Sequence, residues 1–271
     1  MSDVKIFLDV GSHIGETLYE VTKEKYAFDK IVCFEPSSFC LDELKIFAAE
    51  DDRIIICEFG LSNRNQDVEL FLPGTEAGSI YKDGDPFLSR KEVASEAITK
   101  EIETIKLCDA KEWFEKNTSA DDYIVVKTNC EGSEVDILDS LIGGDIMKNI
   151  YSFLITFDIR HYKEFQHREI EIRKRLKKEK LKNFCFSEDV MIGTSHEKRI
   201  ENWLTLFGID SQSKDIYFLR KLHKNEFLKY SSKSGFFPRW EIRIKRIFNY
   251  ENFPDWGKDV LRFLKRVFGF N

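Results

Sequence analysis

Chain-breaking residues are scarce: five prolines and fourteen glycines are spread over 271 positions. No long stretch is dominated by Gly, Ser or Pro, so a flexible linker between two equal domains has no candidate segment. The six cysteines, Cys33, Cys40, Cys57, Cys108, Cys130 and Cys185, lie far apart without a C-x-x-C pair. Three of them fall in apolar, strand-like runs, so they read as reduced core thiols, and neither a zinc pattern nor a disulfide framework is indicated. No run reaches the ~18 apolar residues of a membrane span. Met1 leads directly into a strand-like run with no charged and apolar leader pattern, and the expected location is cytoplasmic. Charge of one sign is also lacking. A net charge of −6 with acids and bases intermixed predicts no nucleic-acid surface.

The chain does have apolar content, 42%, enough for one core of roughly 200 to 250 residues. We expect a domain over residues 1–230 and an extension over 231–271. Val4 to Leu8 reads as a strand, a Gly-containing turn follows, and Ile14, Leu18 and Val21 recur at helical spacing through Lys25. The unit repeats: Lys30 to Phe34 is strand-like, serines cap a helix, and Leu41, Leu44, Phe47 and Ala48 share one face. Arg53 to Phe59 predicts a third strand, Gln66 to Leu72 an edge strand, Pro73 to Arg90 a surface loop, and Ile102 to Leu107 another edge strand. After a helix over Ala110 to Asn117, Tyr123 to Thr128 is β-branched and apolar on both faces, as a central strand requires. Val135, Leu138 and Leu141 mark the next helix, and Tyr151 to Phe157 another strand. Glu164 to Lys182 reads as a solvated helix, with further strands at Asn183 to Ser187 and Asp215 to Arg220. Strands alternating with helices predict an α/β fold: a mainly parallel central sheet covered on both faces.

A strand ending in Asp9 and running into Gly11-x-x-x-Gly15 brings backbone close to a ligand at the carboxyl end of the sheet. The same turn also serves in many folds merely to pack helix on strand. Glu35 closes the second strand, where an acidic side chain accepts the hydroxyls of an adenosine ribose. The third glycine of G-x-G-x-x-G is missing, so a pyrophosphate cradle is incomplete, and no G-x-x-x-x-G-K-[ST] is present. Tyr19-x-x-x-Lys23 and Tyr26-x-x-x-Lys30 have the spacing of a short-chain dehydrogenase dyad but fall too early in the chain. An adenosine cofactor without pyrophosphate fits best.

The segments FLDVGSHIGET, CFEPSS, EFGLSN and IVVKTNCEGSEVDIL together resemble the FkbM-type S-adenosylmethionine-dependent methyltransferases, over about residues 6 to 160 and more weakly to about 220. That family shows D-V-G-A-N-x-G, E-P and K-I-D-V-E-G-x-E; here His13 replaces the Asn and Asn129 the Asp. The resemblance implies a Rossmann-like class I methyltransferase fold with S-adenosylmethionine as cofactor. It implies a cofactor site lined by Asp9, Gly11, Ser12, His13, Gly15, Glu35, Pro36, the turn Gly60-Leu61-Ser62, and Asn129. Lys127, Asn129 and Glu131 then face the transferred methyl group. The acceptors it implies are hydroxyls of sugars, glycans or polyketide-type metabolites.

Methyl transfer from a sulfonium is an in-line displacement, so positioning dominates, and a weakly acidic hydroxyl gains from a general base. An amide takes no proton, so with Asn129 in place of Asp the base falls to Glu131, His161 or Asp158, in that order. Glu131 has a plainer reading as a helix cap or a partner of Lys127, and His161 as a surface residue at a helix start. These three side chains would also be the ligands if a metal were used, but no spacing demands one. Residues 236 to 271 carry eight Lys or Arg against four Asp or Glu, with Trp240, Ile244, Ile247, Trp256, Val260, Leu264 and Phe268 at helical spacing. Such a helical extension suits peripheral contact with the inner face of an anionic membrane, and hence a lipid-linked glycan. The plainer reading of the same pattern is docking on its own domain or in a homo-oligomer. Two other function classes stay open: an NAD- or nucleotide-sugar-dependent oxidoreductase, and a catalytically silent cofactor-binding module.

Overall fold

The computed structural model describes residues 4–75, 78–81, 102–191 and 193–209. In chain order they form β1 (Lys5–Val10), α1 (Leu18–Val21), β2 (Lys30–Phe34), α2 (Ser38–Glu50), β3 (Ile54–Cys57), β4 (Gly60–Ser62), β5 (Gln66–Phe71) and β6 (Ile102–Asp109). There follow α3 (Ala110–Asn117), β7 (Tyr123–Thr128), α4 (Glu134–Leu141), α5 (Ile146–Asn149), β8 (Ile150–Ile155), α6 (Gln166–Lys178), β9 (Phe184–Phe186), α7 (Ser187–Val190) and α8 (His196–Leu206). The strand expected at Asp215 to Arg220 and the extension over 231–271 lie outside the described residues.

Six strands make one sheet in the order β3-β2-β1-β7-β8-β9, and every neighbouring pair is parallel. The strand-to-strand spacing of side chains sorts the core into two layers. Ile6, Leu8 and Val10 of β1 join Ile124 and Val126 of β7 and the apolar sides of α3, α4 and α6. Phe7 and Val125, one residue out of phase, point the other way and pack with Leu18, Leu44, Trp203 and Leu204. The protein is therefore an α/β Rossmann-like domain with helices on both faces of a parallel sheet. The chain reverses its direction of sheet growth between β1 and β7, the place where such sheets open a crevice at their carboxyl ends.

Three expectations are modified. The helix foreseen from Ile14 to Lys25 shrinks to Leu18–Val21 plus a 3-10 turn at Glu24–Tyr26. His13 and Gly15 both hold positive φ, +50° and +91°, which consumes the segment in a turn and leaves Ile14 exposed. The strand expected over Arg53 to Phe59 ends at Cys57, and Gly60–Ser62 joins a separate three-stranded sheet of order β4-β6-β5. In that sheet β5 runs antiparallel to β6 and β4 parallel to it, so β6 is its central strand and not the edge strand expected over Ile102 to Leu107. The third modification is α8, which had no counterpart in the sequence reading. Ser195 caps it by accepting from the Lys198 N–H at 3.2 Å, and Ile200, Trp203 and Leu204 are fully buried. Each such side chain contributes about 1.5–3 kcal/mol on burial, enough to fix the helix against α1.

Candidate functional site

Asp9 and Lys127 are register partners on the two central strands, both on the α1/α8 side. Lys127 Nζ lies 2.8 Å from Asp9 Oδ1, with side-chain exposures of 5% and 0%. The same ammonium donates to the Gly11 carbonyl at 3.0 Å, so the pair fixes the first residue past β1. Gly11 has φ +77°, and a Cβ there would sit 2.0 Å from the Asn129 carbonyl oxygen. The glycine is thus required by the close approach of the chain's own β7 turn. At Gly15 a Cβ would meet Phe47 at 3.0 Å, so this second glycine serves the packing of the turn on α2. The Ser12 hydroxyl donates to the Asp9 carbonyl at 2.8 Å.

Glu35, at the end of β2, is nearly buried. Its Oε2 accepts from the His13 N–H at 2.8 Å and its Oε1 from the Ser37 N–H at 2.9 Å. Burial raises its pKa against the pull of those two donors. The carboxylate is held rigidly, and each oxygen retains a lone pair. The His13 ring lies 3.0 Å from Glu16 through Nδ1. A contact with Cys40, and next Glu16, pushes its pKa up to about 10, so the ring is an imidazolium paired with a carboxylate.

The turn after β7 is built on one buried acid. Glu134, at the start of α4 and with no exposure, accepts from Gly132 N–H through Oε2 and from Asp158 and Ile159 N–H through Oε1, all at 2.8 Å. It joins the loop after β7 to the loop after β8. Burial, with the Asp158 charge next, raises its pKa. Between them Glu131 and Gly132 both take positive φ, +49° and +110°. The Ser79 hydroxyl donates to the Glu131 carbonyl at 2.6 Å, which ties the chain beyond β5 to the same turn.

These elements enclose a cavity of about 900 Å³ at the carboxyl ends of the strands. Among the residues singled out in the sequence, Gly11, His13, Glu35, Pro36, Gly60, Leu61, Lys127, Asn129, Glu131, Asp158 and His161 line it. Asp9, Ser12, Gly15 and Ser62 are not in its wall; Asp9, Ser12 and Ser62 are buried behind it. Glu131, Asp158 and His161 share the cavity, yet among the described residues no three His, Cys, Asp or Glu side chains are grouped to hold a metal ion.

Sequence reasoning missed two contributions. The small second sheet supplies an apolar wall through Leu70, Ile105 and Leu107. From the opposite side α8 supplies His196 and Arg199. The signal for α8 was present: Ile200, Trp203, Leu204 and Phe207 follow Ser195 at helical spacing. His196 Nε2 is 3.1 Å from the Thr17 hydroxyl, and burial followed by the Lys127 charge lowers its pKa.

No family model and no curated protein matches the sequence. Among solved structures, the chain is similar to the methyltransferase FkbM from Methylobacillus flagellatus KT, at a TM-score of 0.32 and 19% identity. The match covers 52% of this chain and spans 29% of that one.

Proposed function

We propose that the protein is an S-adenosylmethionine-dependent O-methyltransferase acting on a hydroxyl of a sugar or glycan. The observation that carries the cofactor half of this reading is Glu35: a carboxylate locked by two backbone N–H groups at the end of the strand beside the Gly11 turn. That is the placement that receives the paired hydroxyls of a ribose. The cavity, about 900 Å³, lies within the range of about 300–1,000 Å³ usual for small-molecule sites, with room for cofactor and acceptor together. The apolar wall of Leu70, Ile105 and Leu107 suits a planar base, and the Gly11 turn suits the amino-acid arm.

The cofactor supplies a methyl group on a sulfonium, transferred by in-line displacement. The residues of this chain do the rest. Asn129, beside Gly11, offers an amide that orients without titrating. Glu131, held in its left-handed conformation from both neighbouring sides, takes the proton of the acceptor hydroxyl, and Asp158 and His161 position that hydroxyl. The preference for a glycan rests on the resemblance of the sequence motifs, and contact of residues 236–271 with an anionic membrane rests on their pattern alone.

The strand order is shared with dinucleotide-binding sheets, so NAD is the discriminating control. Neither Tyr19 with Lys23 nor Tyr26 with Lys30 lines the cavity; Tyr19 is exposed and Tyr26 bonds to Glu20. Titration calorimetry with S-adenosylhomocysteine and with NAD tests the reading. Binding of the former alone is expected, and tighter binding of NAD refutes it. Methyl transfer to a panel of free and lipid-linked sugars then separates an enzyme from a silent binding module.

A further inference from the structure

Two cations on the α1/α8 side of the cavity are each matched by a carboxylate. Lys127 is matched by Asp9 at 2.8 Å, and His13 by Glu16 at 3.0 Å. Arg199 also lines the cavity, and it has no ion-pair partner among the described residues. Its Nε is buried with no hydrogen-bond partner. Arg160 and Arg173 also bury one nitrogen without a partner, but they, like Arg53, Arg168 and Arg175, contact a carboxylate, and Arg64 bonds to Gln66. A buried guanidinium nitrogen without an acceptor costs free energy unless a ligand supplies one.

The position indicates which ligand. Arg199 is carried on α8, one turn beyond His196 on the same face, and His196 is tied to Thr17 at the end of the Gly11-to-Gly15 turn. On the cofactor reading above, the Gly11 turn is where the amino-acid arm belongs. We propose that Arg199 binds the carboxylate of the cofactor's amino-acid arm. His196, 3.1 Å from the Thr17 hydroxyl, ties the first turn of α8 to the end of the Gly11-to-Gly15 turn. The second charged contact to the cofactor thus comes from a helix remote in sequence from the motifs that signal the fold. A guanidinium presents a planar fork that matches a carboxylate.

This inference rests on the cofactor reading above, and the test separates the two. Two probes that differ in the arm are titrated into the full chain: S-adenosylhomocysteine, and 5′-methylthioadenosine, which keeps the adenosine and thioether but lacks the carboxylate. For Arg199→Gln, affinity for S-adenosylhomocysteine is expected to fall about 10- to 100-fold, the loss of a charge-assisted hydrogen bond. Affinity for methylthioadenosine stays unchanged, which also reports an intact site. Arg199→Lys should fall between, since it keeps the charge and loses the fork. If Arg199→Gln weakens both probes alike, or neither, the assignment of Arg199 is overturned while the cofactor reading stands. If the unaltered protein binds neither probe, both are overturned.

Discussion

Removing both members of the buried Asp9–Lys127 pair should cost far less than the sum of removing each alone. At 2.8 Å and an effective dielectric of about 20, the mutual attraction is about 6 kcal/mol. Much of that offsets the desolvation of two groups that are almost without solvent contact. Asp9→Asn leaves an ammonium enclosed beside Gly11, and Lys127→Met leaves a carboxylate with no cation; breaking such a pair costs about 3–5 kcal/mol in either case. In Asp9→Asn/Lys127→Met no charge remains, and the residual cost is one poorly satisfied amide and the lost bond to the Gly11 carbonyl, about 2–4 kcal/mol. Urea unfolding of the four proteins, followed by far-ultraviolet circular dichroism, measures the cycle. Two singles of about 4 kcal/mol would sum to about 8, so a coupling of several kcal/mol is expected. A double variant that equals the sum of the singles to within about 0.5 kcal/mol would refute the pair as the element that fixes this strand end.

Gly11→Ala should lower Tm by about 5 °C or more. The left-handed φ alone costs about 1–2 kcal/mol, and the added Cβ meets the Asn129 carbonyl at 2.0 Å; an unchanged thermal melt would show that the β7 turn yields freely. His13 predicts a pH dependence. Its pKa is raised from 6.5 to about 10 in the folded chain, so its stabilising effect is complete below pH 6.5 and is lost as pH rises through 10. The Tm difference between the natural chain and His13→Asn should therefore shrink across that window, and parallel curves would remove the His13–Glu16 pair from the account.

How much of this was legible follows from how local each signal is. Tyr123–Thr128 stands out because a strand buried on both faces is apolar through its middle, with polar side chains only toward its carboxyl end, Lys127 and Thr128. The Gly11 turn and Glu35 are local too, each a short word at a strand terminus. The extent of the first helix was not legible, because the positive φ values of His13 and Gly15 depend on contacts with β2 and α2. Nor was the split after Cys57. Ile54 to Phe59 is continuously apolar apart from Glu58, and only the pairing of Gly60–Ser62 with β6 decides that the strand ends. The site was legible where the motifs lie and invisible where tertiary folding brings remote pieces to it: the wall from β5 and β6, and the two side chains of α8. Glu134 is intermediate. Its position closes the K-x-x-x-E-G-x-E segment, but three backbone partners from two loops cannot be read from spacing.

That single carboxylate has a mechanical consequence. Because Glu134 holds the loop after β7 and the loop after β8 together, Glu131 on one and Asp158 on the other cannot drift apart without breaking buried hydrogen bonds. The left-handed backbone of Glu131 and Gly132 is fixed when the chain folds, before any ligand arrives. Ordering this corner of the cavity is thus settled at the folding step, and an incoming ligand meets groups whose entropy has already been lost.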